Sequence, residues 1–234
     1  MARKQLAFIA LAAAAAVYAS PARADLIFDL TAGNAAISGF PGPYATVDVA
    51  LTDSTHATIT FTALSTASNQ YLMGADGSVA VNVNATTWTI GSITGTNSLS
   101  GFTPGPLSDG GSGNEDGFGK FNQTVNSFDG FTHSSTKISF DLTDTGGTWA
   151  SAAQVLIANA DGNLAASHIF VCASGPTTCA GESGAVATGF ASGKGSSSSG
   201  GGGGGGGGGV PEPATLALFG AGLLALAFVR RRLI

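Results

Sequence analysis

The sequence predicts a mainly β protein: a single β-sandwich or jelly-roll-like domain with one short helix, followed by a C-terminal transmembrane helix. Apolar residues alternate with Thr, Ser and Asp over many short segments, as in strands that bury one face. Turn residues separate these segments at intervals of about ten residues, which is typical of sandwiches. An uninterrupted apolar run close to the C-terminus predicts the membrane-spanning helix.

The N-terminus has the three parts of a secretory signal peptide. Two basic residues precede an apolar run at 6–17, and Ala22 and Ala24 form an A-x-A cleavage site. Residues 1–24 are therefore predicted to be a signal peptide that the general secretion machinery recognises and removes. The alternative is an anchor helix that is never cleaved.

Five strands are predicted between residues 25 and 96. Their core-facing side chains alternate along the chain, and Asp76-Gly77 supplies a hairpin turn. Asn82 and Asn84 fall on the opposite, solvent-facing side of their strand. The predicted core-facing residues are Leu26, Phe28, Leu30, Val47, Val49, Ile59, Phe61, Val79, Val81, Val83, Trp88 and Ile90.

The second half of the domain is predicted to contain a loop, two strands, a helix and two closing strands. Residues 102–119 are rich in Gly, Pro and Ser, which indicates a long loop. Residues 148–160 carry apolar residues at helical spacing behind a Thr148 cap and form the one predicted helix of the domain. Residues 164–172 and 184–192 predict the closing strands. The predicted apolar positions are Phe121, Val125, Phe128, Ile138, Phe140 and Leu142 in the strands, and Trp149, Ala152, Ala153, Leu156 and Ile157 in the helix.

Composition divides the exported chain into a β-rich domain at 25–190 and a linker at 191–209. The linker is almost entirely glycine and serine, so it cannot bury apolar surface and is predicted to be flexible. Between residues 25 and 209 there are three lysines and thirteen carboxylates, a net charge of −10. Nucleic acids and anionic membranes bind basic surfaces, so this charge argues against both as partners of the exported domain.

Two cysteines, Cys172 and Cys179, lie in one short segment of the exported domain. Cysteines this close in an exported protein are expected to form a disulfide. The alternatives are a metal site or a reactive thiol. A zinc site would need further Cys or His ligands nearby, and the neighbouring sequence has none.

The last 25 residues, 210–234, contain three parts in a fixed order. A Pro-Glu-Pro motif comes first, an uncharged apolar run at 214–229 follows, and three arginines come near the end. The apolar run predicts a transmembrane helix, and the arginines predict that its C-terminal end stays in the cytoplasm. The residues of the motif and of the basic cluster are Pro211, Glu212, Pro213, Arg230, Arg231 and Arg232.

This tail resembles the PEP-CTERM protein-sorting signal of Gram-negative bacteria, in which the same three parts end the chain. The resemblance implies that an exosortase, a protease-like transpeptidase of the inner membrane, recognises the Pro-Glu-Pro element and processes the protein near it. It also implies a precursor held transiently in the inner membrane and a mature form at the cell surface or outside the cell. Exopolysaccharide is a further partner that the resemblance suggests.

The domain itself also resembles a recurrent ectodomain of such proteins. The resemblance rests on NQYLMGADGSVAVNVNATTWT at 69–89, on GFTPGP at 101–106, on GFGKFNQTVNSFDGF at 117–131 and on the closing segments. This ectodomain group has no assigned biochemical activity, and the cysteine pair departs from its usual closing hairpin. The resemblance therefore predicts a fold and no chemistry.

The sequence contains no motif for catalysis, and we expect neither an enzyme nor a cofactor. His56, His133 and His168 are far apart in the chain, and no G-x-S-x-G element accompanies them. Asp129 and Ser134 flank His133, but neighbours in sequence do not make a catalytic triad.

An acidic segment within the predicted loop is the one weak candidate for a metal site. Asp109, Asn114, Glu115 and Asp116 could offer oxygen ligands to Ca²⁺. The segment does not match the EF-hand pattern, and a solvated loop is the alternative. Trp88, Trp149 and the phenylalanines are expected in the core, although any that prove exposed could contact sugars.

These observations predict an exported cell-surface or extracellular-matrix protein that is associated with exopolysaccharide or biofilm and is sorted at its Pro-Glu-Pro motif. Two alternatives stay open. One is an ectodomain that remains anchored in the membrane without cleavage. The other is an adhesin that binds Ca²⁺ or glycans.

Overall fold

Residues 25–172, 179 and 184–195 are described by the structure, a computed structural model. The predicted signal peptide at 1–24, the Pro-Glu-Pro motif, the predicted membrane helix at 214–229 and the arginines at 230–232 lie outside these residues. Within the described residues, no helix has both the length and the apolar character needed to cross a membrane.

Among the described residues, twelve antiparallel strands form two sheets, which confirms the predicted mainly β fold. In chain order the strands are β1 Leu26–Leu30, β2 Ala32–Gly33, β3 Ala45–Leu51, β4 His56–Ala63, β5 Gln70–Met73, β6 Val79–Val81, β7 Trp88–Thr96, β8 Leu107–Glu115, β9 Gly119–Ser127, β10 Lys137–Asp144, β11 Ala165–Cys172 and β12 Ala187–Gly193. Strand β12 extends into the first residues of the predicted linker, because Ala191 and Ser192 are buried there.

The five-stranded sheet has the order β1-β3-β4-β10-β7. Strands β3, β4 and β10 alternate between buried, mostly apolar residues and more exposed, mostly polar ones, as the period-two pattern predicts. Cross-strand neighbours on the buried face include Val47 with Phe61 and Ile59 with Phe140. This sheet therefore has one apolar face, turned to the core, and one polar face, turned to solvent.

The seven-stranded sheet has the order β2-β12-β11-β6-β9-β8, with β5 also paired to β11. Apolar residues from its inner face, among them Ile169 and Val171, join those of the five-stranded sheet in one core cluster. Strand β11 is also covered on its outer face, where Phe170 and Cys172 belong to a second apolar cluster. The two sheets thus pack as a sandwich, and the outer face of the seven-stranded sheet carries additional packed side chains.

The helix predicted at 148–160 is wrong. The segment contains only a 3-10 turn, Ala152–Gln154, because its backbone hydrogen-bonds to other parts of the chain. The Val155 carbonyl accepts from the Asn84 amide at 2.9 Å, and the Ile157 amide donates to the Asn82 carbonyl at 2.9 Å. The apolar residues of this segment cover the core without forming a helix. The buried ones are Trp149, Ala152, Val155 and Leu156.

The long loop predicted at 102–119 is also wrong over most of its length. Strand β8 pairs with β9, and two register shifts between Asp109 and Gly113 interrupt the pairing. Gly111 has φ +60°, which suits a bulge in an edge strand. The strand is held by backbone hydrogen bonds and buries little apolar surface, so no alternating pattern marks it in the sequence.

Candidate functional site

The acidic segment places one carboxyl group in an unusual environment. Glu115 ends strand β8, and its carbonyl accepts from the Phe118 amide at 2.9 Å, which closes the turn into β9. Its side chain is only 2% exposed, and no hydrogen bond joins its carboxyl to any residue that the structure describes. Burial raises the pKa of Glu115 to about 8, so the side chain is a neutral carboxylic acid at neutral pH.

Glu115 can lie where it does because Gly77 has no side chain. A Cβ built on Gly77 would lie 2.5 Å from Oε2 and 2.6 Å from Oε1 of Glu115. Gly77 also has φ +65°, a backbone conformation that other residues rarely adopt. The Asp76-Gly77 turn predicted from the sequence therefore provides the space for the Glu115 carboxyl.

Around this carboxyl lies a pocket of about 280 Å³ on the outer side of the seven-stranded sheet. Asp76, Ser112 and Asn114 are exposed side chains that line it, and Phe190 from strand β12 contributes an aromatic wall. The side chains of Asp76, Ser112, Asn114 and Glu115 make no hydrogen bond to another described residue. The pocket therefore combines one aromatic ring with four polar groups whose hydrogen-bonding capacity is unused within residues 25–172, 179 and 184–195.

His168 fixes the position of the aromatic wall. Its ring stacks on Phe190 with centroids 4.5 Å apart and an interplanar angle of 19°. Its Nδ1 lies 3.3 Å from the Asp76 carbonyl oxygen. Desolvation lowers the pKa of His168 below its ordinary value, so the ring is neutral at neutral pH.

The four predicted calcium ligands do not come together as one set. Asn114 and Glu115 line the pocket, whereas Asp109 accepts hydrogen bonds from Gln123 Nε2 and the Gly111 amide, each at 2.8 Å. Asp116 Oδ2 accepts from Asn34 Nδ2 at 3.1 Å, and its carboxyl thereby ties the β8–β9 turn to the end of β2. Nowhere in the described ranges do three His, Cys, Asp or Glu side chains group as a metal site.

The other two histidines lie in separate places. His56 Nδ1 pairs with Asp53 at 2.8 Å on the surface. The Thr55 amide and then the His56 ring donate to the Asp53 carboxylate and hold its pKa below the usual range. His133 Nδ1 lies 3.0 Å from the Thr103 carbonyl oxygen. In the described chain no serine hydroxyl is hydrogen-bonded to a histidine ring.

The predicted disulfide is present. Cys172 at the end of β11 is bonded to Cys179, with Cα atoms 5.5 Å apart. Both cysteines are fully buried and pack in the cluster that contains Leu72 and Phe170. The bond therefore ties the end of β11 to the apolar cover on the outer face of the seven-stranded sheet.

Several aromatic residues lie outside the core to which the sequence assigns them. Phe128 is 55% exposed, because strand β9 ends one residue before it. Phe190 is half-exposed on the outer face, in contact with His168. Alternation alone could not distinguish an inner from an outer apolar position on strands that are covered on both faces. No motif in the sequence indicates that Asp76, Ser112 and Phe190 lie together in one site.

A family model described as the PEP-CTERM protein-sorting motif matches residues 209–232. The match spans the Pro-Glu-Pro element, the apolar run and the arginines, which the structure does not describe. No curated protein and no solved structure matches the chain. The resemblance of the domain to a recurrent ectodomain thus stays a prediction. The C-terminal match, in contrast, shows that residues 209–232 carry a PEP-CTERM protein-sorting motif, and this motif implies export, sorting toward the cell envelope and processing by an exosortase.

Proposed function

We propose that this chain is an exported, non-enzymatic surface or matrix protein that an exosortase processes at Pro211-Glu212-Pro213. The single observation that carries the proposal is the sorting-motif match at 209–232. The predicted signal peptide at 1–24 provides the matching export signal at the other end of the chain.

The physical chemistry of the tail supports a precursor that spans the inner membrane transiently. The apolar run at 214–229 has 16 residues, which as a helix would measure about 24 Å. This is slightly shorter than a hydrocarbon core of about 30 Å, and the long arginine side chains can reach the interface across the difference. Because basic flanks stay in the cytoplasm, the Pro-Glu-Pro motif is left on the outer side of that membrane.

The linker and the prolines support recognition of the motif by an enzyme. The glycine- and serine-rich linker that follows strand β12 precedes the motif, so a processing enzyme can approach without displacing the folded domain. The prolines disfavour helix at the motif itself and keep it extended. Together these features suit the presentation of a cleavage site more than a permanent tether.

The test is the C-terminal mass of the mature protein. The variant P211A/E212A/P213A should leave the full-length tail on the protein, whereas the wild type should lose it. Intact mass spectrometry of the protein in the membrane fraction and in the fraction released from the cell surface measures the difference. The E182A variant removes one carboxylate outside the motif and should be processed normally.

Unchanged processing of the triple variant would contradict the proposal. An uncleaved membrane anchor is the competing function, and it predicts a stable full-length species in the inner-membrane fraction of the wild type. A pulse-chase experiment with a membrane-fraction blot separates processing from anchoring. If the protein is processed, its full-length precursor appears in the membrane fraction only briefly.

The second candidate function is a glycan-binding adhesin. It is favoured by the half-exposed Phe190 at the edge of a polar pocket, because exposed aromatic rings are common in binding sites. This function is compatible with sorting to the surface, since it concerns what the domain does after its delivery.

A further inference from the structure

We propose that the pocket bounded by Phe190, Glu115 and Asn114 binds one neutral sugar unit of a surface glycan. The inference deepens the proposed function and rests on it, since a protein sorted to the surface or matrix would meet such glycans there. The pocket lies at the outer face of the seven-stranded sheet and has a volume of about 280 Å³. This volume lies just below the range of about 300–1,000 Å³ for small-molecule sites, so it suits a ligand of one ring.

The first argument is unused hydrogen-bonding capacity. The Glu115 carboxyl lines the pocket and has no hydrogen bond to a described residue, so both of its oxygens are free to bond to a ligand. Asp76, Ser112 and Asn114 point to the same pocket and are equally free of side-chain hydrogen bonds within the described chain. A ligand with several hydroxyl groups would satisfy both the donors and the acceptors of this set.

The second argument is the aromatic wall. Phe190 lines the pocket while His168 stacks on its ring at 4.5 Å and holds it in place. The His168 ring in turn contacts Phe170 edge-on, with centroids 5.3 Å apart. A rigid aromatic ring offers a negatively polarised face to the C–H groups of a sugar ring, and it loses little entropy on binding.

The third argument concerns the charge of the ligand. The protonated Glu115 carboxyl can donate a hydrogen bond and accept one, as a sugar hydroxyl requires. The Asp76 carboxylate at the rim and the net charge of −10 of the exported chain would repel a uronate or a phosphate. A cation is the other class to consider, but only Asp76 and Glu115 offer carboxyl groups to this pocket.

A second pocket, on the five-stranded sheet, lacks this combination. The pocket on the five-stranded sheet contains Asp53 and His56, which are already paired with each other at 2.8 Å. In the same pocket, Asp141 already accepts from Thr58 Oγ1 at 2.7 Å. The ionisable groups of that pocket are thus engaged within the protein, whereas the side chains of Asp76 and Glu115 have no hydrogen bond to another described residue.

Calorimetry with the full chain tests the inference. The protein is extracted from the cell envelope in a detergent without a sugar headgroup, because a glycosidic detergent would compete for the site. The probes are oligosaccharides of glucose, galactose, mannose, N-acetylglucosamine and glucuronate, and CaCl₂ alone, each up to about 10 mM, since a single-ring site is expected to bind weakly. At least one neutral oligosaccharide should bind, while the glucuronate oligosaccharide and Ca²⁺ should not.

Variants locate the site. F190A should weaken the binding of the neutral probe by about tenfold and N114A by about threefold, as expected for a lost aromatic contact and a lost hydrogen bond. E115L should also abolish most of the binding, and thermal unfolding shows whether each variant is folded. F128A removes an exposed phenylalanine that does not line the pocket, so it is the matched control and should bind as the wild type does.

Three results would overturn the inference: no heat with any neutral probe, binding that survives both F190A and N114A, or equal binding of glucuronate. If Ca²⁺ gives binding heat with the wild type and none with E115L, the ligand of the pocket is a cation and not a sugar. The readout is independent of the C-terminal mass that tests sorting, so a failure here and a failure of processing can be distinguished.

Discussion

The two outer faces of the sandwich differ in how their polar groups are used. On the five-stranded sheet, hydroxyl and carboxylate groups are bonded to each other across strands, as in Thr46 to Asp29 at 2.7 Å and Thr60 to Ser139 at 3.0 Å. On the seven-stranded sheet, the rings of His168 and Phe190 stack on each other, and the polar side chains of Asp76, Ser112, Asn114 and Glu115 beside them have no hydrogen bond to another described residue. Polar groups that are bonded to each other have little hydrogen-bonding capacity left for a ligand. Polar groups without such bonds, next to an aromatic ring, are suited to bind one.

The largest expected difference between the faces comes from two glycine substitutions. Gly77 has φ +65° and touches the Glu115 carboxyl, while Gly91 on strand β7 has open space around it. G77V should therefore lower the free energy of unfolding by about 3 kcal/mol or more, through backbone strain and a clash with a buried side chain. G91A should change it by less than about 0.5 kcal/mol.

Urea unfolding monitored by circular dichroism measures both values. Because G77V also fills the space that Glu115 occupies, the variant should lose the pocket together with stability. Equal effects of the two substitutions would show that the Asp76-Gly77 turn has no special role and would remove the physical basis of the pocket.

The second prediction concerns the pH dependence of stability. The folded state raises the pKa of Glu115 from 4.5 to about 8, so this group stabilises the protein below pH 4.5 and loses its contribution as the pH rises through about 8. The wild type should lose about 1.4 kcal/mol of unfolding free energy between pH 7 and pH 9 from this group. E115Q keeps the shape of the side chain and should remove that loss.

The pH window is chosen because of the neighbours of Glu115. Folding lowers the pKa of His168 below its ordinary value of 6.5. The contribution of this group to stability is therefore lost as the pH falls below about 6.5, which is outside the window from pH 7 to pH 9. Asp76 is the other carboxyl that lines the pocket, and it is present in both proteins. Parallel curves for wild type and E115Q between pH 7 and pH 9 would mean that Glu115 is ionised in the folded protein.

The contrast between the faces also explains which features the sequence could predict. The core of the five-stranded sheet follows from alternation, since Val47, Ile59 and Phe140 each face inward next to polar neighbours. Short-range chemistry likewise predicts the Asp76-Gly77 turn and the disulfide. These features depend on residues that are close in the chain or on a strict period.

The pocket could not be predicted because it depends on contacts over long distances in the chain. Glu115 becomes buried only because a glycine-rich edge strand brings it against Gly77. The segment at 148–160 loses its helix for a related reason, since the edge around Asn82 and Asn84 offers hydrogen bonds to its backbone. In both places tertiary pairing outweighs local propensity.

The smallest expected change in unfolding free energy comes from substitutions of two aspartates on the polar face of the five-stranded sheet. Asp48 Oδ1 is buried without a hydrogen-bond partner among the described residues, and desolvation raises the pKa of this group. Asp141 instead accepts a hydrogen bond from Thr58 Oγ1 at 2.7 Å. D48T should therefore stabilise the protein by about 0.5 kcal/mol, because threonine suits a strand and removes an unsatisfied carboxylate.

The same change at the other aspartate should have the opposite sign. D141T breaks the bond from Thr58 and should destabilise the protein by about 1 kcal/mol, which thermal unfolding of the two variants side by side can resolve. The gain from D48T should shrink in acid, because the wild-type carboxyl is then protonated and no longer carries a poorly solvated charge. If both substitutions stabilise the protein alike, the polar face is governed by strand propensity, and its cross-strand hydrogen bonds do not explain why it differs from the aromatic face.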